Sequence, residues 1–164
     1  MIESFCTFFL ILNDITRHQS MTMPQVNFYI LQTRMRQEKN RLACQLADKA
    51  WHQGYPIYIQ TNSIIDAEKF DKLLWVFKED SFLPHDIYPD ISSTAPIRIG
   101  YSAEVCPNME VLINLTETVP PFFEQFKRIA EIVDDTPIAR EAGRTRYRFY
   151  QERNALLKVH KINR

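Results

Sequence analysis

Hydrophobic and polar positions follow two rhythms along this chain, and the switches between them outline its elements. Val26-Asn-Phe-Tyr-Ile-Leu31 is dense in β-branched and aromatic residues and predicts a first strand. From Arg36 to His52 the rhythm turns helical, with Leu42, Leu46, Ala50 and Ala43, Ala47, Trp51 at fourfold spacing, and Gly54 stops it as a left-handed cap. Pro56 to Gln60 predicts a short second strand. Ser63-Ile-Ile-Asp66 has the form of a capping box and opens a second helix, whose core stripe is Phe70, Leu73, Leu74 and Phe77. Strand, helix, strand, helix at this spacing predicts parallel βαβ units with right-handed crossovers.

The second half is less regular. Lys78 to His85 reads as a loop that pushes apolar residues outward, and Asp86 to Pro96 as a polar, turn-rich stretch. Ile97–Gly100 and Val111–Leu115 predict two further strands, and Pro120-Pro121 a short helix carrying Phe122, Phe123 and Phe126. Ile129–Val133 is expected to be the last strand, although periodicity alone also lets it continue the preceding helix. A final helix follows from Pro137, with proline suited to its first turn, and the polar residues after Leu157 are expected to fray. Within this helix Ile138, Ala142, Phe149 and Leu156 mark the expected core side. Arg140, Arg144 and Arg148 recur every fourth residue on the other side, beside Tyr147.

Residues 1–22 stand apart as an N-terminal extension to a domain spanning 23–164. Phe5 to Leu12 is an apolar run too short to span a bilayer, and Glu3 stands where a signal peptide would be basic. Met21 and Met23 directly precede the first strand, so translation is expected to start at one of them; a membrane-surface anchor is the alternative reading. With 164 residues and ordinary hydrophobic and charged fractions of 45% and 24%, the chain has room for one sizeable core.

The formal net charge is +0, which excludes a general polyanion binder. The balance is uneven, however. From Pro137 to Arg164 eight bases face two acids, leaving +6 there and −6 elsewhere. A neutral chain with one basic end points to a local anionic partner. The 3 cysteines (Cys6, Cys44 and Cys106) are odd in number and outside any metal-ligand spacing, which favours a reducing compartment and incidental thiols over catalysis.

Together the elements predict a single three-layer, Rossmann-like α/β domain with a mostly parallel sheet. Such folds often bind nucleotides, but the glycines needed for it are missing. Only Gly54, Gly100 and Gly143 are present, and the first strand-to-helix turn reads Leu31-Gln-Thr-Arg-Met. Without a glycine cluster the backbone cannot wrap a pyrophosphate, so neither the dinucleotide fingerprint nor the P-loop is present. His18, His52, His85 and His160 lie on separate segments with no paired ligand spacing. Asp134-Asp135 follows a predicted strand, but adjacent residues on extended chain point apart and suit capping of the next helix better than acid–base work. No serine occupies a G-x-S-x-G elbow. No catalytic constellation or cofactor site emerges.

Two surfaces remain as candidates. The arginine stripe is either a solvated helix face or a grip for an acidic chain end, because guanidinium binds carboxylate in bidentate fashion; phosphate is the rival ligand. Nucleic-acid stacking usually needs several aromatics, and only Tyr147 and Tyr150 accompany the stripe. The second surface is Trp75 with Phe77, Phe82, Leu83 and Pro84: either a rim over the core or an anchor for a protein partner.

Several local patterns, in order, resemble one known family. They are Val26-Asn-Phe-Tyr-Ile-Leu31, Ala50-Trp51-His52-x-Gly54, Asp71-Lys-Leu-Leu-Trp75 with Ser81-Phe82-x-Pro84-His85, and Arg144-x-Arg146-Tyr147-Arg148-x-Tyr150. From Val26 to about Tyr150 the chain resembles the chi subunit of bacterial DNA polymerase III holoenzyme, an accessory subunit of the clamp-loader assembly. The resemblance implies a non-enzymatic, cytoplasmic protein of the replisome with no cofactor and only indirect contact with DNA. It implies two partners: the psi subunit, and the acidic, Phe-ended C-terminal tail of single-stranded DNA-binding protein. By position, Arg144 would take the tail's terminal carboxylate, Arg140 and Arg148 its aspartates, and Tyr147 would pack against it. Trp75 and Phe82 match positions associated with psi and with a repair helicase that competes for the same surface. A direct single-stranded nucleic-acid binder remains the alternative, and a small α/β enzyme a distant third.

Overall fold

Seven strands, all parallel, form one sheet in the order β3-β4-β2-β5-β6-β1-β7 in the computed structural model, which describes residues 23–79, 82–90 and 92–163. The strands are β1 (Gln25–Leu31), β2 (Ile57–Gln60), β3 (His85–Ile87), β4 (Ile97–Gly100), β5 (Val111–Asn114), β6 (Arg128–Val133) and β7 (Leu156–Ile162). Three helices connect them: α1 (Arg36–His52), α2 (Ile64–Val76) and α3 (Pro137–Glu152). The expected extension 1–22, with its start-site question and Cys6 and His18, lies outside the described residues.

Local signals in the sequence account for most element ends. Gly54 has φ 81° and its amide bonds the Trp51 carbonyl, closing α1. Ser63 caps α2 by accepting from the Asp66 amide at 3.2 Å. Thr136 caps α3 through the Ala139 amide at 3.2 Å, while Asp134 accepts from the amide and hydroxyl of Thr136. The cap is therefore Thr136 rather than the expected Asp134-Asp135 pair: Asp134 braces the capping threonine, and Asp135 pairs with Arg140.

The core has two parts, one on each face of the sheet. Leu42, Ala43, Ala47, Phe70 and Leu74 from α1 and α2 pack on Leu31, Ile57, Ile59, Ile97 and Ile113. On the opposite face Tyr150 of α3, with Phe122, Phe123 and Phe126, packs on Val26, Phe28, Leu112 and Ile129. The result is the expected three-layer α/β arrangement.

Five further expectations need correction. The residues after Leu157 do not fray; they form β7, paired in parallel with β1 along its whole length. An edge strand needs ladder bonds on one side only, so a polar composition suffices. For the same reason β6 is not the last strand, and it lies inside the sheet. The stretch from Asp86 conceals the three-residue edge strand β3, and Leu83, expected outward, is buried beneath it. The Pro120-Pro121 segment makes only a 3-10 turn, Phe123–Gln125.

The fifth correction concerns α3. Ile138 is 73% exposed and Leu156 belongs to β7, whereas the buried positions are Gly143, Arg146 and Tyr150. Hydrophobicity alone gives the wrong face because the inward side of this helix holds a glycine and an arginine. Both have a reason to be there that only β6 supplies.

Candidate functional site

The site lies where α3 crosses β6 and β1. A Cβ on Gly143 would stand 2.9 Å from a methyl of Val133, closer than carbon atoms pack, so glycine lets the helix approach the sheet here. Three residues further on, Arg146 enters the protein interior. Its side chain is 3% exposed, and Nε donates to Oε2 of the wholly buried Glu131 at 2.8 Å. One terminal nitrogen donates to the Glu117 carbonyl at 2.9 Å. Tyr150 donates its hydroxyl to Glu131 Oε1 at 2.9 Å, and Asn114 reaches both oxygens at 3.1 Å.

Burial pushes the Glu131 carboxyl up, against the opposing pull of Arg146 and the donors around it. Burial also pushes the Tyr150 phenol up, with the Glu131 charge adding to it, so Tyr150 remains a donor. Each polar group in this cluster meets a partner, as a buried ion pair requires. One of the C-terminal bases is therefore structural, and it fixes the rotation of α3.

That rotation presents the remaining arginines. Arg140, Arg144 and Arg148 are exposed, and Tyr147 lies half-buried with its ring edge-on to Phe28 at 5.3 Å between centroids. Between α3 and the sheet opens a pocket of about 290 Å³, lined by Phe28, Ile30, Val133, Gly143, Tyr147 and Val159. Arg140 and Arg144 complete its wall and, among the described residues, supply its only charges. A cavity of about 150 Å³ holds a benzene ring, so a phenyl group fits here with its backbone reaching the guanidiniums.

The arginines are lightly engaged. Arg144 pairs with Glu141 at 3.2 Å with both side chains mostly exposed, an interaction worth about 0–1 kcal/mol that a stronger anion displaces. Arg140 pairs with Asp135, and Arg148 has no ion-pair partner among the described residues. The structure thus brings Arg140, Arg144 and Tyr147 together around one pocket, with Arg148 exposed one turn beyond Arg144. The sequence reading named these four but missed the apolar lining from β1, β6 and β7. A glycine in the middle of a helix, where it costs about 1 kcal/mol relative to alanine, was the one local signal of a close approach.

The second candidate surface lies near the opposite edge of the sheet, on α2 and β3. Trp75 is 53% and Phe82 64% exposed, and their rings meet at 5.4 Å between centroids. Trp75 also rests on His85 at 4.8 Å. His85 itself is buried, its ring nitrogens against the Leu83 and Asp71 carbonyls. Val76, next to Trp75 on α2, is also exposed, so this is an apolar surface rather than a single stray ring. Four strand spacings separate β3 from β6, about 20 Å.

The described residues hold no cluster of three potential His, Cys, Asp or Glu metal ligands. No described helix is long and apolar enough to cross a membrane. Comparison with known proteins decides the family. The model of the family described as "DNA polymerase III chi subunit, HolC" matches residues 23–158. The chain belongs to the DNA polymerase III chi subunit family.

Relatives agree with that assignment. The DNA polymerase III subunit chi of Pseudomonas aeruginosa is 33% identical over 142 residues, covering 87% of this chain and 99% of the relative. The subunit chi of Haemophilus influenzae is 28% identical, covering 74% and 85% of the two chains, and that of Escherichia coli 24%, covering 68% and 77%. The crystal structure of T4 UvsW superposes with TM-score 0.62 at 9% identity, covering 85% of this chain and 41% of that one, which shows a shared fold alone. Membership in the chi family makes the protein an accessory subunit of DNA polymerase III in DNA replication.

Proposed function

We propose that the protein is a non-catalytic bridge within the cytoplasmic replisome. The pocket at α3 receives the acidic, Phe-ended C-terminal tail of single-stranded DNA-binding protein, and the Trp75–Phe82 surface receives the psi subunit. The observation that carries this reading is an apolar pocket large enough for a phenyl ring and walled by Arg140 and Arg144. A chain ending in phenylalanine offers a ring and a carboxylate on the same residue, and no internal residue does. Arg144 takes that terminal carboxylate, while Arg140 and Arg148 meet the aspartates before it.

The apolar surface around Trp75 and Phe82 suits a protein anchor, since exposed, clustered aromatics mark such sites. A competing repair helicase would use the same surface. Contact with DNA through the tail pocket is indirect.

Titration of a fluorescent tail peptide, with and without its last phenylalanine, tests the main claim. Removing that residue, or making Arg144→Ala, weakens binding by about 1.5–3 kcal/mol, the scale of a hydrogen bond between charged groups. Equal affinity for the two peptides would overturn the reading of the pocket.

A further inference from the structure

On the face that α1 and α2 cover, the sheet emerges from beneath the helices at β1 and β7. Gln25, Asn27 and Tyr29 of β1 are half-buried there, and Lys158 and His160 of β7 are exposed on the same side. A groove of about 340 Å³ runs between this strip and the end of α1. Its polar lining consists of three amides (Gln25, Asn27 and Gln53), two phenols (Tyr29 and Tyr55) and two exposed cations (Lys49 and Arg128). Among the described residues no carboxylate lines it.

Two flat platforms flank the groove. His160 stacks on Tyr29 with centroids 4.9 Å apart and planes 17° off parallel, and Asn27 holds the imidazole at 3.1 Å. The Arg128 guanidinium lies over the Tyr55 ring at 4.6 Å. Each platform is backed by a tyrosine and presents an exposed planar group outward. Lys49 lines the groove beside them, and Lys158 stands opposite Asn27 on β7, two residues before His160.

The larger crevice of about 480 Å³ at the carboxyl ends of the strands is a poorer anion site. It holds Arg34, Arg36, Lys39 and Lys69, but also Asp66, Glu117 and Asp134. Asp66 pairs with Arg36 at 3.1 Å and Lys39 donates to the Leu115 carbonyl at 3.2 Å, so the crevice mixes both signs of charge.

We propose that the groove between α1 and β1–β7 binds single-stranded nucleic acid directly. Bases stack on the His160 and Arg128 platforms, the amides meet base edges, and Lys49 and Lys158 neutralise phosphates. A duplex keeps its base faces stacked and cannot use the platforms. A free dinucleotide has no glycine loop here to hold its pyrophosphate. The groove lies on the opposite face of the sheet from the α3 pocket, so strand and tail occupy separate sites.

Fluorescence anisotropy of a labelled oligothymidylate with the full chain, and no other protein, tests the proposal. Binding is expected at low salt and falls as salt rises. The double variant Lys49→Glu/Arg128→Glu weakens it by about tenfold or more while binding tail peptide like the wild type, which also shows that it folds. His160→Ala, at an exposed ring, weakens strand binding as an independent check should the double variant misfold. Arg144→Ala binds the oligonucleotide normally. The proposal is overturned if the wild type fails to bind at low salt, or if the folded groove variants bind unchanged. Loss in Arg144→Ala matching that in the groove variants would place the strand on α3 instead, and equal affinity for a duplex of the same length would remove the platforms. Either result also overturns it.

Discussion

Replacing Arg146 with methionine removes the cation from the buried cluster under α3 and keeps most of the side-chain volume. The arginine loses its 2.8 Å bond to Glu131 and its 2.9 Å bond to the Glu117 carbonyl. Glu131 keeps Asn114 and Tyr150 as donors but is left as an unpaired charge with 0% of its side chain exposed. Breaking one side of a buried pair costs about 3–5 kcal/mol, a large share of the 5–15 kcal/mol that about holds a domain of this size together.

A pH signature accompanies the loss. Burial already raises the Glu131 carboxyl, and without Arg146 it rises further, so the folded variant takes up a proton that the unfolded chain does not. The deficit relative to wild type is therefore largest at neutral pH and shrinks as pH falls toward the carboxylate range. Urea unfolding followed by tryptophan fluorescence at pH 7.5 and 5 measures both. The double variant Glu131→Gln/Arg146→Met removes the stranded charge, keeps an amide acceptor for Tyr150 and Asn114, and recovers much of the loss. A loss below about 1 kcal/mol at pH 7.5, the value of an exposed ion pair, would refute the placement of Arg146 inside the protein.

Three further outcomes are expected. Trp75→Ala abolishes capture of the psi subunit in a pull-down but leaves tail-peptide affinity unchanged; loss of both in a folded variant would mean that the two surfaces are not separate. Gly143→Ala forces α3 away from Val133 and costs about 1–2 kcal/mol after the gain in helix propensity, with weaker tail binding, and a variant as stable as wild type would contradict the close contact. Burial raises the Cys44 thiol from 9.0 to about 12, so the folded state holds its proton more tightly than the unfolded chain. Its contribution to stability is complete below pH 9 and lost as pH rises toward about 12, and Cys44→Ala makes that alkaline decline shallower in urea titrations.

Much of the fold was legible in the sequence because its signals are local. The stripe of α1, the Gly54 stop, the Ser63 cap and the dense β-branched strands each act within a few residues, and together they set a parallel α/β domain without a phosphate loop. The elements that were misread depend on partners far away in sequence. β7 is a strand only because β1 offers it a ladder, and β3 is too short to announce itself.

The same division runs through the site. Spacing alone placed Arg140, Arg144, Tyr147 and Arg148 on one helix, and charge asymmetry along the chain marked that helix as unusual. It could not say which way the helix faced, since Arg146 looks like one more surface base until Glu131 rises beneath it from β6. Nor could it show the pocket, whose walls come from β1, β6, β7 and α3 at once. Sequence determines which residues share a local element, because covalent spacing fixes their periodicity. Tertiary structure decides which face is inside, because burial of an arginine is tolerable only where a carboxylate from another element meets it.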